Sequence, residues 1–146
     1  MKDEIERILA IDYGEKRIGL AISDPLKIFA IPLITLENNN TFYDKLKTLF
    51  NQYNFTLVVL GYPLKEDGTK TTLSEIVEKF KDEIEIKFNI QVIFIDERYS
   101  SAIAWEHIKN SVNSKKKRRD KSLIDKNAAA VILEDYLSTI KKQVFK

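Results

Sequence analysis

The sequence predicts an α/β fold, a mixed five-stranded sheet covered by helices. Three observations carry this. Two short apolar runs, residues 8–11 and 18–22, flank a polar segment, as in two antiparallel strands joined by a tight connection. Residues 56–61 (TLVVLG) and 92–95 (VIFI) are apolar without alternation, the pattern of strands buried on both faces in the parallel part of a sheet. Between and after those runs, apolar residues recur at helical spacing, so strands and helices alternate along most of the chain.

In order, the hairpin ends at Asp24-Pro25, and residues 30–36 form a third strand in which Pro32 argues for a sheet edge or strand end. Asn38-Asn39-Asn40 is a loop able to cap a helix from Thr41, whose inner face carries Phe42, Leu46, Leu49, Phe50 and Tyr53. The 56–61 strand follows, closed by Gly61-Tyr62-Pro63. Thr72-Leu73-Ser74-Glu75 then has capping-box spacing and opens a helix through about Lys87, with Leu73, Ile76, Val77, Phe80 and Ile84 inward. The 92–95 strand runs into Asp96-Glu97-Arg98, and Ser100 or Ser101 can cap a helix bearing Ile103, Trp105 and Ile108. Residues 114–121 are polar throughout and strongly basic, which reads as a loop. From Leu123 a last helix places Ala129, Ile132, Leu133, Tyr136, Leu137 and Ile140 on one face, with Asp125 a turn before Ala129 on that face.

At 146 residues the chain suits one domain, 1–146, with a substantial core. Hydrophobic residues at 44% and charged residues at 32% argue against disorder. A net charge of +2 is too small to imply a nucleic-acid partner, so any such argument must rest on where the charge lies. No cysteine is present, which removes disulfides and thiolate metal sites and fits a reducing cytoplasm. The acidic start Met1-Lys2-Asp3-Glu4 leads into no long apolar stretch, so neither a signal peptide nor a membrane span is expected.

Ligands of such sheets gather beyond the carboxyl ends of the parallel strands, and Asp12, Gly61 and Glu97 fall there. Asp12, Glu97 and Asp125 can converge if the last helix packs across those ends. Three carboxylates suffice for two hard cations such as Mg²⁺ roughly 4 Å apart, one activating water and one stabilising a leaving phosphodiester oxygen. Without metal the cluster is unfavourable, because like charges raise one another's pKa. Each residue also has a plainer reading. Asp12 suits a turn, Asp125 stands three positions after Ser122 as the acidic partner of a capping box, and Glu97 can pair with a surface cation. Arg17 and Arg98 fit phosphate or ordinary ion pairs. The run Lys115, Lys116, Lys117, Arg118 and Arg119 is either a solvated surface or a phosphate-contacting segment whose binding weakens steeply with salt.

The ordered set Ile11-Asp12-Tyr13-Gly14, Arg17-Ile18-Gly19-Leu20-Ala21, Ser23-Asp24, Gly61-Tyr62-Pro63 with Asp67-Gly68, Asp96-Glu97-Arg98, and Asp125-Lys126 with Ala128-Ala129 and Ile132-Leu133 resembles the YqgF/RuvX family. The match spans about residues 8–137. That resemblance implies a ribonuclease H-like fold and a metal-dependent nuclease of the pre-16S rRNA-processing or Holliday junction resolvase-like type, acting in the cytoplasm. It implies Asp12, Glu97 and Asp125 as catalytic, metal-holding carboxylates, Mg²⁺ or Mn²⁺ as cofactor, and structured RNA or branched DNA as partner. A monomer or weak homodimer is expected, the dimer for junction cleavage. Ala10 stands where the family usually has glycine and Ser101 where threonine is common. Related resolvases bring an acid from the strand end occupied here by Gly61-Tyr62-Pro63, which makes Asp96 a second candidate for the role of Glu97.

Two other classes share features with the chain. Sugar-kinase and actin-type ATPases also use a strand, an Asp-x-Gly turn and a strand to hold phosphate, but need two such domains. A non-catalytic RNA-binding assembly factor would use the basic run alone.

Overall fold

The computed structural model describes residues 3–96 and 121–144, with side chains for 3–96 and 127–140. The strands are β1 (Glu6–Asp12), β2 (Arg17–Ser23), β3 (Ala30–Glu37), β4 (Asn54–Tyr62) and β5 (Val92–Asp96). The helices among the described residues are α1 (Phe42–Gln52), α2 (Thr72–Phe88) and α3 (Lys121–Val144). The sheet runs β3-β2-β1-β4-β5, with β1/β2 and β2/β3 antiparallel and β1/β4 and β4/β5 parallel. This is the mixed five-stranded sheet expected. The helix expected over Ile103, Trp105 and Ile108, its Ser100 or Ser101 cap, and the basic run lie outside the described residues.

Period-two alternation sorts the strand side chains between two cores. Leu9 and Ile11 of β1, Ile18 and Leu20 of β2, and Val58 and Leu60 of β4 pack with Phe42 and Leu46 of α1 and Val77, Phe80 and Ile84 of α2. Ile8, Ala10, Ala21 and Val59 point to the other side and pack with Ala129, Ile132, Leu133 and Leu137 of α3. Both surfaces of this second layer carry alanines, so the helix can lie close against the sheet. Residues 58–61 of β4 are buried throughout, because helices cover both faces of this strand. Leu60 is fully buried, and truncating such a side chain costs about 2–5 kcal/mol.

Pro32 sits on edge strand β3, where a missing N–H leaves no ladder bond broken on the open side. Nearby the register shifts, Leu20 facing Ile34 and Ala21 facing Pro32, so the strand bulges at Leu33. Thr41 is the N-cap of α1 but makes no side-chain cap bond. Its hydroxyl is turned to Asn39 instead, whose Oδ1 accepts from the Thr41 N–H at 2.9 Å and from the Thr41 hydroxyl at 2.6 Å.

The capping box of α2 lies one residue earlier than expected. Thr71 is the N-cap and Ser74 the reciprocating residue, rather than Thr72 and Glu75. The Thr71 side chain accepts from the Ser74 N–H at 3.1 Å, and Ser74 Oγ accepts from the Thr71 N–H at 2.9 Å. The reason is burial. The Ser74 hydroxyl also donates to the Pro63 carbonyl and is fully enclosed, a place a longer glutamate side chain could not fill. Glu75 remains in the first turn, where its charge complements the helix dipole. No helix among the described residues is long and apolar enough to cross a membrane.

Candidate nucleic-acid-cleaving site

The parallel strands β1, β4 and β5 end together at Asp12, Tyr62 and Asp96. Asp12 has the parity of Ile8 and Ala10 and therefore lies on the α3 side of the sheet. Its partner on β2 is Gly19, and one step beyond the last β1/β4 pair, Ile11 with Leu60, lies Gly61. Asp12 thus has a glycine on each flank. Neither of these strand positions brings a side chain toward the carboxylate, and the half-buried Asp12 is held in the β1–β2 ladder through its pairing with Gly19. A hard cation with its waters, or a phosphate oxygen, needs this kind of clearance.

Arg17 opens β2 with the parity of Gly19 and Ala21, so it shares the α3 side and the same sheet edge as Asp12. Asp96 alternates with Phe94, which packs into the α1/α2 core, whereas Ile93 and Ile95 pack toward α3. Asp96 is therefore directed away from the side that Asp12 occupies. Asp125 belongs to α3, one turn before the buried Ala129, but its side chain lies outside the described residues. Glu97, Arg98, Lys115, Lys116, Lys117, Arg118 and Arg119 lie wholly outside them. Among the described residues no three His, Cys, Asp or Glu side chains cluster as a metal site.

The turn between β1 and β2 is tightly built. A Cβ on Gly14 would lie 2.3 Å from the Arg17 carbonyl oxygen, so only glycine fits there without moving backbone. Asn38, just past β3, donates through Nδ2 to the Gly14 carbonyl at 2.9 Å and through its backbone N–H to the Lys16 carbonyl at 2.9 Å. In the sequence, Gly14 stands out only as part of an Asp-x-Gly turn and Asn38 as part of a loop able to cap a helix. The asparagine triplet was the available signal, but which of the three would reach the hairpin depends on where β3 ends.

A second feature the sequence did not reveal lies beyond β4. The Tyr62 hydroxyl donates to Glu78 Oε1 at 2.9 Å, and Lys70 Nζ meets the same oxygen at 2.8 Å. These bonds lower the Glu78 pKa, the Lys70 bond most, and raise that of Lys70. The Tyr62 pKa is raised first by loss of solvent and then by the bond to Glu78. The network fixes the β4–α2 connection, which turns through Gly68 at φ 87° and is closed by a Leu64–Lys70 bridge. Its residues bracket the strand end next to Gly61.

Comparison with known proteins agrees with this architecture. The fold is similar to that of the Fowlpox virus resolvase in a crystal structure with substrate Holliday junction DNA, at a TM-score of 0.53 and 17% identity, covering 92% of this chain and 98% of that one. A crystal structure of the Fowlpox virus Holliday junction resolvase gives a TM-score of 0.52 at 16% identity, covering 91% of this chain and 99% of that one. The fold is thus the ribonuclease H-like one. Two proteins named "Putative pre-16S rRNA nuclease" match over nearly their whole length. One, from Dictyoglomus turgidum, is 37% identical over 137 residues, 92% of this chain and 95% of that protein. The other, from Azobacteroides pseudotrichonymphae, is 41% identical over 138 residues, 93% of this chain and 99% of that protein. With residues 6–139 also matching the RuvX Holliday junction resolvase family model, the chain belongs to the RuvX family.

Proposed function

We propose that this chain is a metal-dependent nuclease that hydrolyses phosphodiester bonds, with the 5′ end of pre-16S rRNA as its substrate and the cytoplasm as its place of action. The observation that carries the reading is Asp12, fixed at the end of β1 between Gly19 and Gly61, on one side of the sheet with Arg17. The name shared by the full-length relatives supplies the substrate.

Asp12 would be joined by Glu97 and Asp125. The alternation of β5, in which Ile93 and Ile95 face α3 and Asp96 does not, counts against Asp96 for this role. The all-oxygen character of these three side chains suits Mg²⁺ or Mn²⁺ rather than a softer metal. When bound, such ions activate water and neutralise charge on a phosphodiester. The protein's own part is to hold the carboxylates on rigid strand and helix positions, with Arg17 orienting a phosphate through its planar guanidinium. Arg98 and the run Lys115, Lys116, Lys117, Arg118 and Arg119 would neutralise further phosphates, giving binding that falls as salt rises.

The test is incubation of labelled pre-16S RNA with the protein in Mg²⁺ or Mn²⁺, comparing wild type with Asp12→Asn. The expected result is cleavage by wild type only, with circular dichroism and RNA binding retained in the variant. Undiminished cleavage by Asp12→Asn refutes the reading. The family description favours a four-way DNA junction as the second substrate, and a synthetic junction in a parallel reaction decides between them. Junction cutting would require a dimer, since two strands must be cut symmetrically.

A further inference from the structure

On the α1/α2 side, a cleft of about 260 Å³ opens next to the β1–β2 turn, lined by residues that include Tyr13, Asn38, Tyr43, Lys79, Phe80 and Glu83. We infer that this cleft receives a single unstacked nucleobase of the RNA strand flanking the scissile phosphate. The occupant rests on the nuclease reading above. The cleft itself rests on separate observations.

Position is the first. Tyr13 directly follows Asp12 and packs on Phe80 at 4.8 Å between ring centroids, on the opposite side of the sheet from Asp12. A strand crossing the sheet edge over the turn 13–16 would place a phosphate on the Asp12 side and the neighbouring base on the Tyr13 side. Asn38 lines the cleft and also holds the Gly14 carbonyl, so the cleft wall and the Asp12 turn are one construction.

Size and chemistry are the second and third. The volume falls below the usual 300–1,000 Å³ of drug-sized pockets and admits one flat ring system, not a folded segment. Buried Phe42 and Phe80 form an apolar floor, and the half-buried Tyr13 and Tyr43 line the cleft beside it, with the Lys87 ammonium 4.8 Å over the Tyr43 ring. Single-stranded RNA is read by stacking of splayed bases on aromatic side chains, with hydrogen bonds to base edges. The acceptors are set for this. Asn38 Nδ2 gives one of its two hydrogens to Gly14, so the amide is held in place and still presents its Oδ1 as an acceptor. Glu83 Oε2 accepts from the Tyr43 hydroxyl, and Oε1 has no partner among the described residues. Two acceptors match the paired hydrogens of an exocyclic amino group better than the single N3–H of uracil, while Lys79 supplies a cation for the attached phosphate.

The experiment measures binding of a short single-stranded RNA from the pre-16S 5′ region to Asp12→Asn protein by fluorescence anisotropy. A companion series carries one abasic nucleotide at each position in turn. One abasic position flanking the cleavage point should weaken binding on the order of tenfold, the size of one lost stacking contact. Adding Tyr43→Leu should remove that position's effect, and adding Glu83→Gln should flatten its preference for amino-bearing bases over uracil, with melting curves verifying that both variants fold. An abasic profile unchanged by Tyr43→Leu overturns the cleft assignment while leaving cleavage by wild type untouched. Loss of the nuclease reading would register separately, as cutting by Asp12→Asn equal to wild type.

Discussion

The side-chain amide of Asn38 donates to the carbonyl of Gly14 across 2.9 Å, tying the end of β3 to the turn that follows Asp12. A second bond, from the Asn38 backbone N–H to the Lys16 carbonyl, closes the same latch. An exposed hairpin turn would ordinarily be free to rock about its strands. Here it is clamped from outside the hairpin. Asn38→Ala removes the side-chain bond and keeps the backbone one, so the expected loss of stability is about 1 kcal/mol, a few degrees in Tm. Cleavage should fall further than that loss implies, on the order of tenfold in kcat/KM, because a small displacement of a positioning element is amplified in the reaction. Thermal melts and steady-state cleavage on the same samples test this. Equal activity with a lowered Tm would reduce Asn38 to a structural residue.

Gly14 makes a complementary prediction. The backbone here does not need a left-handed φ, since Gly68 is the only described glycine with positive φ. The constraint is space. A methyl group at position 14 would collide with the Arg17 carbonyl oxygen at 2.3 Å, and that oxygen belongs to backbone that cannot swing aside like a side chain. Gly14→Ala should therefore cost about 1–3 kcal/mol through displaced backbone. Replacing Gly with Ala in an unstrained setting would instead stabilise slightly by restricting the unfolded chain. Urea denaturation of Gly14→Ala decides between the two by the sign of the change in midpoint.

These two residues also mark where reading the sequence stops being sufficient. The sheet was legible because its signals are local. Residues 56–61 and 92–95 are apolar runs of strand length, and the i, i+3, i+4 spacing from Phe42 and from Leu73 fits no strand. Asp12 was legible for the same reason, an acid placed where a buried run ends. The capping box at Thr71 and the Asn38 latch were not. Each depends on a partner brought near by tertiary packing, the Pro63 carbonyl for Ser74 and the Gly14 carbonyl for Asn38. The two glycines flanking Asp12 were visible singly. Their shared meaning needs the register Asp12–Gly19 and Ile11–Leu60, which no single stretch of sequence encodes.

Acid stability should report on Asp24. Its carboxylate accepts backbone N–H groups from Phe29 at 2.7 Å and Ile28 at 2.6 Å, building the β2–β3 turn around one side chain. The bond from Phe29 is the main cause of a pKa held below the ordinary 3.8; loss of solvent, the next largest effect, opposes it, and the bonds from Ile28 and Leu26 add to the lowering. A carboxyl group whose folded pKa lies below its unfolded one stabilises the fold fully above the unfolded value. That stabilisation is lost as pH falls through the unfolded value and on through the folded one. Wild type should therefore lose Tm from about pH 4 downward. Asp24→Asn, which keeps an acceptor but cannot titrate, should start lower at neutral pH and fall less steeply below pH 4. Parallel slopes for the two proteins would remove Asp24 as a source of acid sensitivity.

On the nuclease reading, divalent ions stabilise the protein through Asp12. Carboxylates gathered at one place repel one another, and a ligand that binds only the folded state adds RT ln(1 + [L]/Kd), about 2.7 kcal/mol at a hundredfold excess over Kd. Mn²⁺ or Mg²⁺ should accordingly raise the Tm of wild type in a saturable way, while Ca²⁺-free chelating buffer gives the baseline. Asp12→Asn removes one charge from the group, so its chelated Tm should equal or exceed that of wild type. Its gain on adding Mn²⁺ should largely vanish. The glycine at the end of β4 sharpens the expectation, because Gly61→Ala adds a methyl one position past the Ile11–Leu60 pair without touching any charge. That variant should keep the baseline expected of a small packing change and lose much of the Mn²⁺ response. A full Mn²⁺ shift in Asp12→Asn would place the ion elsewhere on the chain and remove Asp12 from the proposed chemistry.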